Sequence, residues 1–187
     1  MNKKILDIGC GINKNENAIG MDISNLSGAD IIHDINKYPY PFDDENFDEI
    51  ICSDTFILVN NPIEFLREVY RILKPNCKFI LKNPYFKSRT AYLDPFDNKR
   101  FIGVHYFDIY DPSKILFKKY SKLYNIQDIK FKINKTYFEN SDELDKSRFN
   151  FFKKIMFSFS KKYPSRYEKY FSTFYAFESI KHILEKI

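Results

Sequence analysis

The sequence predicts an α/β protein built on an open, doubly wound sheet, and three observations predict it. Short apolar runs bounded by Gly, Asn, Asp or Pro recur through the first 120 residues, they alternate with helix-patterned stretches, and a glycine pair closes the first run. Near-continuous apolar strands suit a parallel sheet covered on both faces better than a half-exposed antiparallel one. In such sheets ligands lie beyond the C-terminal ends of the strands, which is where the glycine pair falls.

Residues 3–9, 18–23, 29–35 and 48–53 read as four strands. In "NNPIEFLREVYRILKP", Asn61 is placed to cap a helix and Pro62 to occupy its first turn. Ile63, Leu66, Val69, Tyr70 and Leu73 form the apolar stripe, and Pro75 stops it. "CKFILKNP" (77–84) is a fifth strand, "DPSKILFKKYSKL" is a helix opened by Asp111 and Pro112, and 126–137 alternates as a sixth strand. Residues 141–163 read as a helix with acids early and lysines late, its broad face carrying Phe149, Phe152, Met156 and Phe159. The final "FYAFESIKHILEKI" fits two patterns. Phe174, Phe177, Ile180, Leu184 and Ile187 suit a helix, whereas Ile180, His182 and Leu184 suit a strand.

At 187 residues and 22.5 kDa the chain fits one domain, 1–187, and 44% apolar with 29% charged residues is a globular mixture. No stretch approaches the ~20 apolar residues of a membrane span, and Met1 leads into Asn-Lys-Lys and a strand rather than a signal sequence, which reads as cytoplasmic. Cys10, Cys52 and Cys77 lack C-x-x-C spacing, and His33, His105 and His182 are scattered, so no metal motif is visible and the thiols read as reduced. The net charge of +5 is divided: residues 1–111 carry −4 and residues 112–187 carry +9. A basic end suits nucleic acid, an anionic membrane surface or an acidic substrate. Lysines spread over solvated helix faces give the same count.

Gly9 and Gly11 flank Cys10 just after the first strand, where the absence of a side chain lets backbone turn sharply and approach a ligand. A dinucleotide fingerprint requires a third glycine and an acid about 20 residues on. Here Ile12, Asn13 and Lys14 follow, and Asp22 comes 11 residues after Gly11, which disfavours NAD. Eight residues between Gly11 and Gly20 leave room for only a turn or two of helix, weakening any phosphate site on a helix N-terminus. Asp22, ending the second strand, is placed to accept two hydrogen bonds from ribose hydroxyls. Asp7 is placed to brace the loop or meet an amino group.

"ILDIGCG", "AIGMDIS", "ADIIHDINKYPYPFDDENFDEIICSD" and "NNPIEFLREVYRILKPNCKFILKNP" together resemble the class I S-adenosylmethionine-dependent methyltransferases, in order and at compatible spacing over residues 3–84. The resemblance implies a Rossmann-like sheet of seven strands, mostly parallel with an antiparallel last strand in "FESIKHILEKI", and S-adenosylmethionine as cofactor. It also implies roles for residues. Asp7, Gly9, Cys10 and Gly11 would lie against the methionine part; Asp22, with Ile23 beside it, would hold ribose; Asp34 and Ile35 would border adenine; Ser53 and Asp54 would lie near the reacting centre. Two departures stand out: Asn13 replaces a frequent third glycine, and "TFILVNNP" lacks the Glu-His pair many relatives carry after the fourth strand.

Methyl transfer from a sulfonium is a direct displacement, so alignment and exclusion of water dominate and no triad is required. His105, Tyr92 and Asp94, after the fifth strand, are candidates for a base or substrate contact. "KNPYF" (82–86) resembles the Asn-Pro-Pro-Tyr type of motif but follows the wrong strand and lacks the second proline, so it reads as a turn. Residues 139–173 read as a helical lid or insertion, with an interfacial helix or a dimer surface as alternatives. The expected activity is methyl transfer to a small molecule. An RNA methyltransferase, favoured by the basic C-terminal region, and a non-catalytic cofactor-binding partner subunit are the rival readings.

Overall fold

The structure, a computed structural model, describes residues 3–93, 99–139 and 150–187. Seven strands form one sheet: β1 Ile5–Ile8, β2 Ala18–Asp22, β3 Ile31–Ile32, β4 Phe47–Ser53, β5 Leu73–Pro84, β6 Phe131–Glu139 and β7 Ser179–Lys186. Their order is β3-β2-β1-β4-β5-β7-β6, and β7 runs antiparallel to both of its neighbours. The order reverses between β1 and β4, which leaves a crevice at their C-terminal ends. The final segment is therefore a strand. Its alternation puts Ile180, His182 and Leu184 in the core, while Phe174 stays 82% exposed.

The sheet buries the face carrying Leu6, Ile8, Ile50, Cys52, Phe79 and Leu81, all fully inaccessible. Helix α1, Pro62–Ile72, covers it with Phe65, Leu66, Val69 and Ile72. The Asn61 side chain accepts from Ile63 N at 3.1 Å and Glu64 N at 3.3 Å, a cap of the kind that contributes about 1 kcal/mol. Phe65 meets the rings of Tyr40, Phe56 and Phe79, so α1 is clamped to the sheet beside the segment that follows β4. Arg71 bonds Glu68 and reaches the Phe42 carbonyl at 2.8 Å and Asp44 at 2.6 Å, tying the approach to β4 to the same helix.

Several boundaries differ from the expectation. No α-helix joins β1 to β2 or β2 to β3; Gly11–Asn13 makes a single 3-10 turn instead. Only Ile31 and Ile32 of 29–35 pair as strand, because the Asp30 carboxylate bonds Gly20 N at 2.8 Å and Asp34 Oδ1 takes Asn36 N at 2.9 Å, turning the chain at both ends. The sixth strand starts at Phe131. Ile126 and Ile129 are buried in a turn that Arg67 fixes through Asp128 at 2.6 Å. Asp111 does not cap a helix directly. It accepts Ser113 N and Oγ and, at 3.0 Å, Ile133 N, and helix α3 (Ile115–Tyr120) begins after that turn, α2 being Thr90–Leu93.

Helices α4 (Asn150–Lys162) and α5 (Pro164–Tyr170) precede β7. The early part of the expected 141–163 helix, Phe149 included, lies outside the described residues. Met156 is buried and Phe159 packs on the core, but Phe152 and Ile155 are each 45% exposed. Among the described residues no helix is long and apolar enough to cross a membrane, and no three metal-ligating side chains come together.

His182 is the chemically odd member of the core. Its ring is fully buried and packs edge-on against Phe107 at 4.8 Å. The backbone of Gly103 and Val104 lies beside it but offers neither nitrogen a well-formed hydrogen bond. Burial pushes its pKa down from 6.5 to about 4. A folded pKa below the unfolded one means the unfolded chain takes the proton first. The His182 contribution is thus whole above 6.5 and is lost as pH falls toward 4. Between pH 7 and 5 this group should cost on the order of 2 kcal/mol of stability. Denaturant titrations at the two pH values should show that loss in the native protein and a flatter profile in His182→Leu; equal slopes would show that His182 does not carry it.

Candidate functional site

Four loops converge at the C-terminal ends of β1, β2, β3 and β4. The first leaves β1 through Gly9 and Gly11, both left-handed, with φ of 67° and 53°. Gly9 N donates to the Met21 carbonyl at 2.7 Å, which holds the bend against β2. A Cβ at Gly9 would lie 2.1 Å from Thr55 Oγ1, so glycine here lets the loop after β4 press against the loop after β1; Thr55 Oγ1 donates to the Ser53 carbonyl at 3.0 Å and the Gly9 carbonyl at 3.3 Å. A Cβ at Gly11 would meet nothing within 4 Å. Gly9 is thus a packing glycine, and Gly11 faces open space.

The Asp22 carboxylate organises this bend. One oxygen accepts Gly11 N at 2.9 Å and the other accepts Ser24 N, also at 2.9 Å. The Asp22 carbonyl takes His33 N at 2.8 Å, and Gly28 N closes on the Gly11 carbonyl at 3.1 Å. Each carboxylate oxygen has two lone pairs, so both keep one for a ligand. The carboxylate is half-buried and points into the bend, the orientation expected of a ribose acceptor.

Asp7 braces the loop from below. It is 6% exposed and its Oδ2 accepts Asn15 N at 3.0 Å. Burial raises its pKa, the Asn15 bond opposes that, and the Asp22 charge raises it further. Cys10 turns its buried thiol toward Gly20, leaving backbone rather than sulfur on the ligand side, and burial raises that thiol's pKa. Lys14 does not face the bend; its ammonium pairs with Asp30 at 2.9 Å. The bend is therefore flanked by two carboxylates, Asp7 and Asp22, with the nearest ammonium, that of Lys14, committed to Asp30.

Ile23 stands 67% exposed next to Asp22, a free apolar surface for a flat ring. Asp34 and Ile35 lie in the turn after β3; the Ile35 carbonyl accepts the Tyr40 hydroxyl at 2.9 Å, and Asn36 Oδ1 takes Asn60 N at 2.7 Å, joining this turn to the loop after β4. Ser53 and Asp54 are exposed at the end of β4, and Asp54 holds a left-handed φ of 54° while its N donates to the Lys82 carbonyl at 2.8 Å. The residues expected at the cofactor thus lie in strands β1, β2 and β4 (Asp7, Asp22 and Ser53) or in the loops that follow these strands and β3. Thr55 was not expected; the sequence marks that place only by the histidine it lacks.

Past β5 lies a second hollow of about 250 Å³, lined by Phe86, Phe101, Gly103, His105, Tyr106 and Glu168. Phe86 N bonds the Ile102 carbonyl at 3.1 Å, which sets the 101–105 segment beside the continuation of β5. His105 Nδ1 lies 2.8 Å from Asp108 Oδ2, leaving Nε2 outward. Tyr92 is 67% exposed, with its ring 6.3 Å from Phe101 at the same mouth. Asp94 lies outside the described residues. Tyr106 packs on Phe56 at 5.8 Å, and Phe56 follows Thr55, so a single layer of side chains connects this hollow to the glycine bend. Glu168, on α5, gave no signal in the sequence, where "YEKY" reads as a solvated helix face.

Comparison with known proteins fits this layout. Residues 6–81 match the family described as "Methyltransferase domain". No curated protein matches the chain. Among solved structures, a SAM-dependent methyltransferase from Archaeoglobus fulgidus superposes with a TM-score of 0.59 at 18% identity, over 98% of this chain and 86% of that one. A Thermotoga maritima protein described as a "possible histamine N-methyltransferase" gives 0.57 at 15% identity, over 100% and 84%. A Haloferax volcanii methyltransferase in complex with the Trm112 activator gives 0.59 at 15%, over 98% and 82%. The reversal of strand order at the glycine bend, the antiparallel β7 and the acid closing β2 agree with that match: residues 6–81 are similar to the methyltransferase-domain family, and the sheet has the Rossmann-like fold of the S-adenosylmethionine-dependent methyltransferases it superposes on.

Proposed function

We propose that the protein transfers a methyl group from S-adenosylmethionine to a small-molecule acceptor seated in the hollow past β5. The observation that carries this is the Asp22 carboxylate, which points into the glycine bend with one lone pair left on each oxygen. The residues fit the cofactor: Gly11 leaves open space for it, Asp22 is placed for ribose hydroxyls, Ile23 and the Asp34–Ile35 turn flank the adenine side, and the carboxylates of Asp7 and Asp22 suit its cationic end. When bound, S-adenosylmethionine supplies an electrophilic methyl on a sulfonium.

The chain's own residues orient and exclude water. The Gly9–Thr55 contact sets the distance between the cofactor bend and the loop leading to Phe56 and Tyr106. His105, held through Nδ1 by Asp108, presents Nε2 as the proton acceptor for an acceptor molecule that carries a proton. Helices α4 and α5 act as the lid; α5 already contributes Glu168 to the wall of the hollow. The hollow, open to solvent, has a volume of about 250 Å³, the size of a small-molecule acceptor. Labelled-methyl transfer from S-adenosylmethionine into the low-molecular-weight fraction of a cell extract tests the reading. Label entering RNA instead would favour a nucleic-acid acceptor, and cofactor binding without transfer would favour the partner-subunit reading.

Variants at Asp22, Gly9 and Gly11 test the cofactor site. Asp22→Ala removes two charge-assisted acceptors, so S-adenosylmethionine should bind about tenfold or more weakly by calorimetry, a loss of roughly 1–3 kcal/mol. Unchanged affinity would refute the ribose role. Gly9→Ala forces both a left-handed strain and a clash with Thr55, whereas Gly11→Ala carries the strain alone, about 1–2 kcal/mol. Thermal melts should place Gly9→Ala well below Gly11→Ala, with the Gly9→Ala/Thr55→Gly double variant recovering most of the gap. Gly11→Ala should fold yet bind the cofactor weakly. Equal melting temperatures would contradict the division between a packing and a ligand-facing glycine.

A further inference from the structure

We propose that the hollow past β5 binds a small organic ammonium, so that the acceptor of the reaction proposed above is an amine; this rests on that reading. Three rings, Phe86, Phe101 and Tyr106, line the hollow together with the Glu168 carboxylate and the His105 imidazole. Aromatic faces attract a cation through their quadrupoles, and a carboxylate in a partly dry wall attracts it further.

Glu168 is held for this task. Its Oε1 accepts Val104 N at 2.9 Å, and a Cβ on Gly103 would sit 2.9 Å from the same oxygen, so the glycine makes room for the carboxylate against the 101–105 segment. Among the described residues no cation pairs with Glu168. The nearby cations are engaged elsewhere. Lys87 Nζ bonds Ser172 Oγ at 2.9 Å while lying over the outer side of Phe86 at 5.7 Å. Arg100 spends its guanidinium on the carbonyls of Phe56, Val59 and Asn60 and lies over Phe56 at 5.5 Å. A half-buried carboxylate walled by rings, with the Tyr85 hydroxyl beside it and no cationic partner among the described residues, in a region of the sequence that carries +9, is a selective feature: it repels carboxylate and phosphate ligands and leaves a vacancy for one positive charge. A hollow of about 250 Å³ takes roughly ten non-hydrogen atoms. An ammonium must shed a proton before its nitrogen can act as a nucleophile, and His105, in the wall of the same hollow with Nδ1 held by Asp108, has its Nε2 to take it.

The test is calorimetry on the whole protein saturated with S-adenosylhomocysteine, using three probes of near-equal shape: phenethylamine, 2-phenylethanol and phenylacetate. Phenethylamine should bind at least tenfold more tightly than either of the others. Glu168→Gln keeps an oxygen for Val104 N while deleting the charge, so it should melt near the native temperature and bring phenethylamine to the level of the alcohol. Phe101→Leu, at a 65% exposed position, should weaken the amine severalfold and leave the alcohol within twofold. Equal binding of the three probes, preference for phenylacetate, no binding of any probe, or an unaltered amine affinity in Glu168→Gln overturns the inference. The two readings fail separately. If S-adenosylhomocysteine itself does not bind, the methyl-transfer reading falls; if it binds and the amine is not preferred, only the acceptor class falls.

Discussion

The carboxylate of Asp22 is the constraint on which the rest of the site depends. In a doubly wound sheet the first crossover helix would ordinarily hold the glycine bend by its N-terminal amides. Here the crossover is a single 3-10 turn, and a helix that short has no N-terminus to offer. The two bonds from Asp22 to Gly11 N and Ser24 N replace it, fixing both sides of the bend from the end of β2. A single side chain that holds both sides of the bend makes the geometry of the proposed cofactor site depend on few atoms.

From that anchor the acceptor side follows by contact. Gly9 admits Thr55, Thr55 leads to Phe56, and Phe56 packs on Tyr106 in the wall of the second hollow. The absence of a side chain at one position thereby sets the approach of the loop after β1 to the loop after β4. The buried His182 adjoins the same region, since the backbone of Gly103 and Val104, in the segment that lines the hollow, lies beside its ring.

Much of this was legible in the sequence because it depends on local pattern. Asn61-Pro62 marks the start of α1, the glycine pair marks the bend, and Asp22 marks the end of β2, all by residue chemistry at fixed spacing. The strand or helix ambiguity of the last segment was settled by long-range pairing: β7 lies between β5 and β6, and only alternation buries Ile180, His182 and Leu184 there. Ile126 and Ile129 misled the reading of the sixth strand, since apolar alternation does not reveal that Asp128 is held by Arg67 on another element. Glu168, Phe86, Phe101 and Tyr106 come from three separate stretches, and no spacing rule could have grouped them. Thr55 was hidden for a related reason: its role is defined by the side chain missing at Gly9.

The central claim is that the bend at Gly9 to Gly11, hooked by Asp22, is the seat of the cofactor. Amide-resolved magnetic resonance of the protein titrated with S-adenosylmethionine tests it most directly. The account predicts saturable shifts confined to Gly11, Ile23, Ser24, the Asp34–Ile35 turn and Ser53–Asp54, with β6 and β7 silent. Shifts centred elsewhere, or none at millimolar ligand, would contradict it.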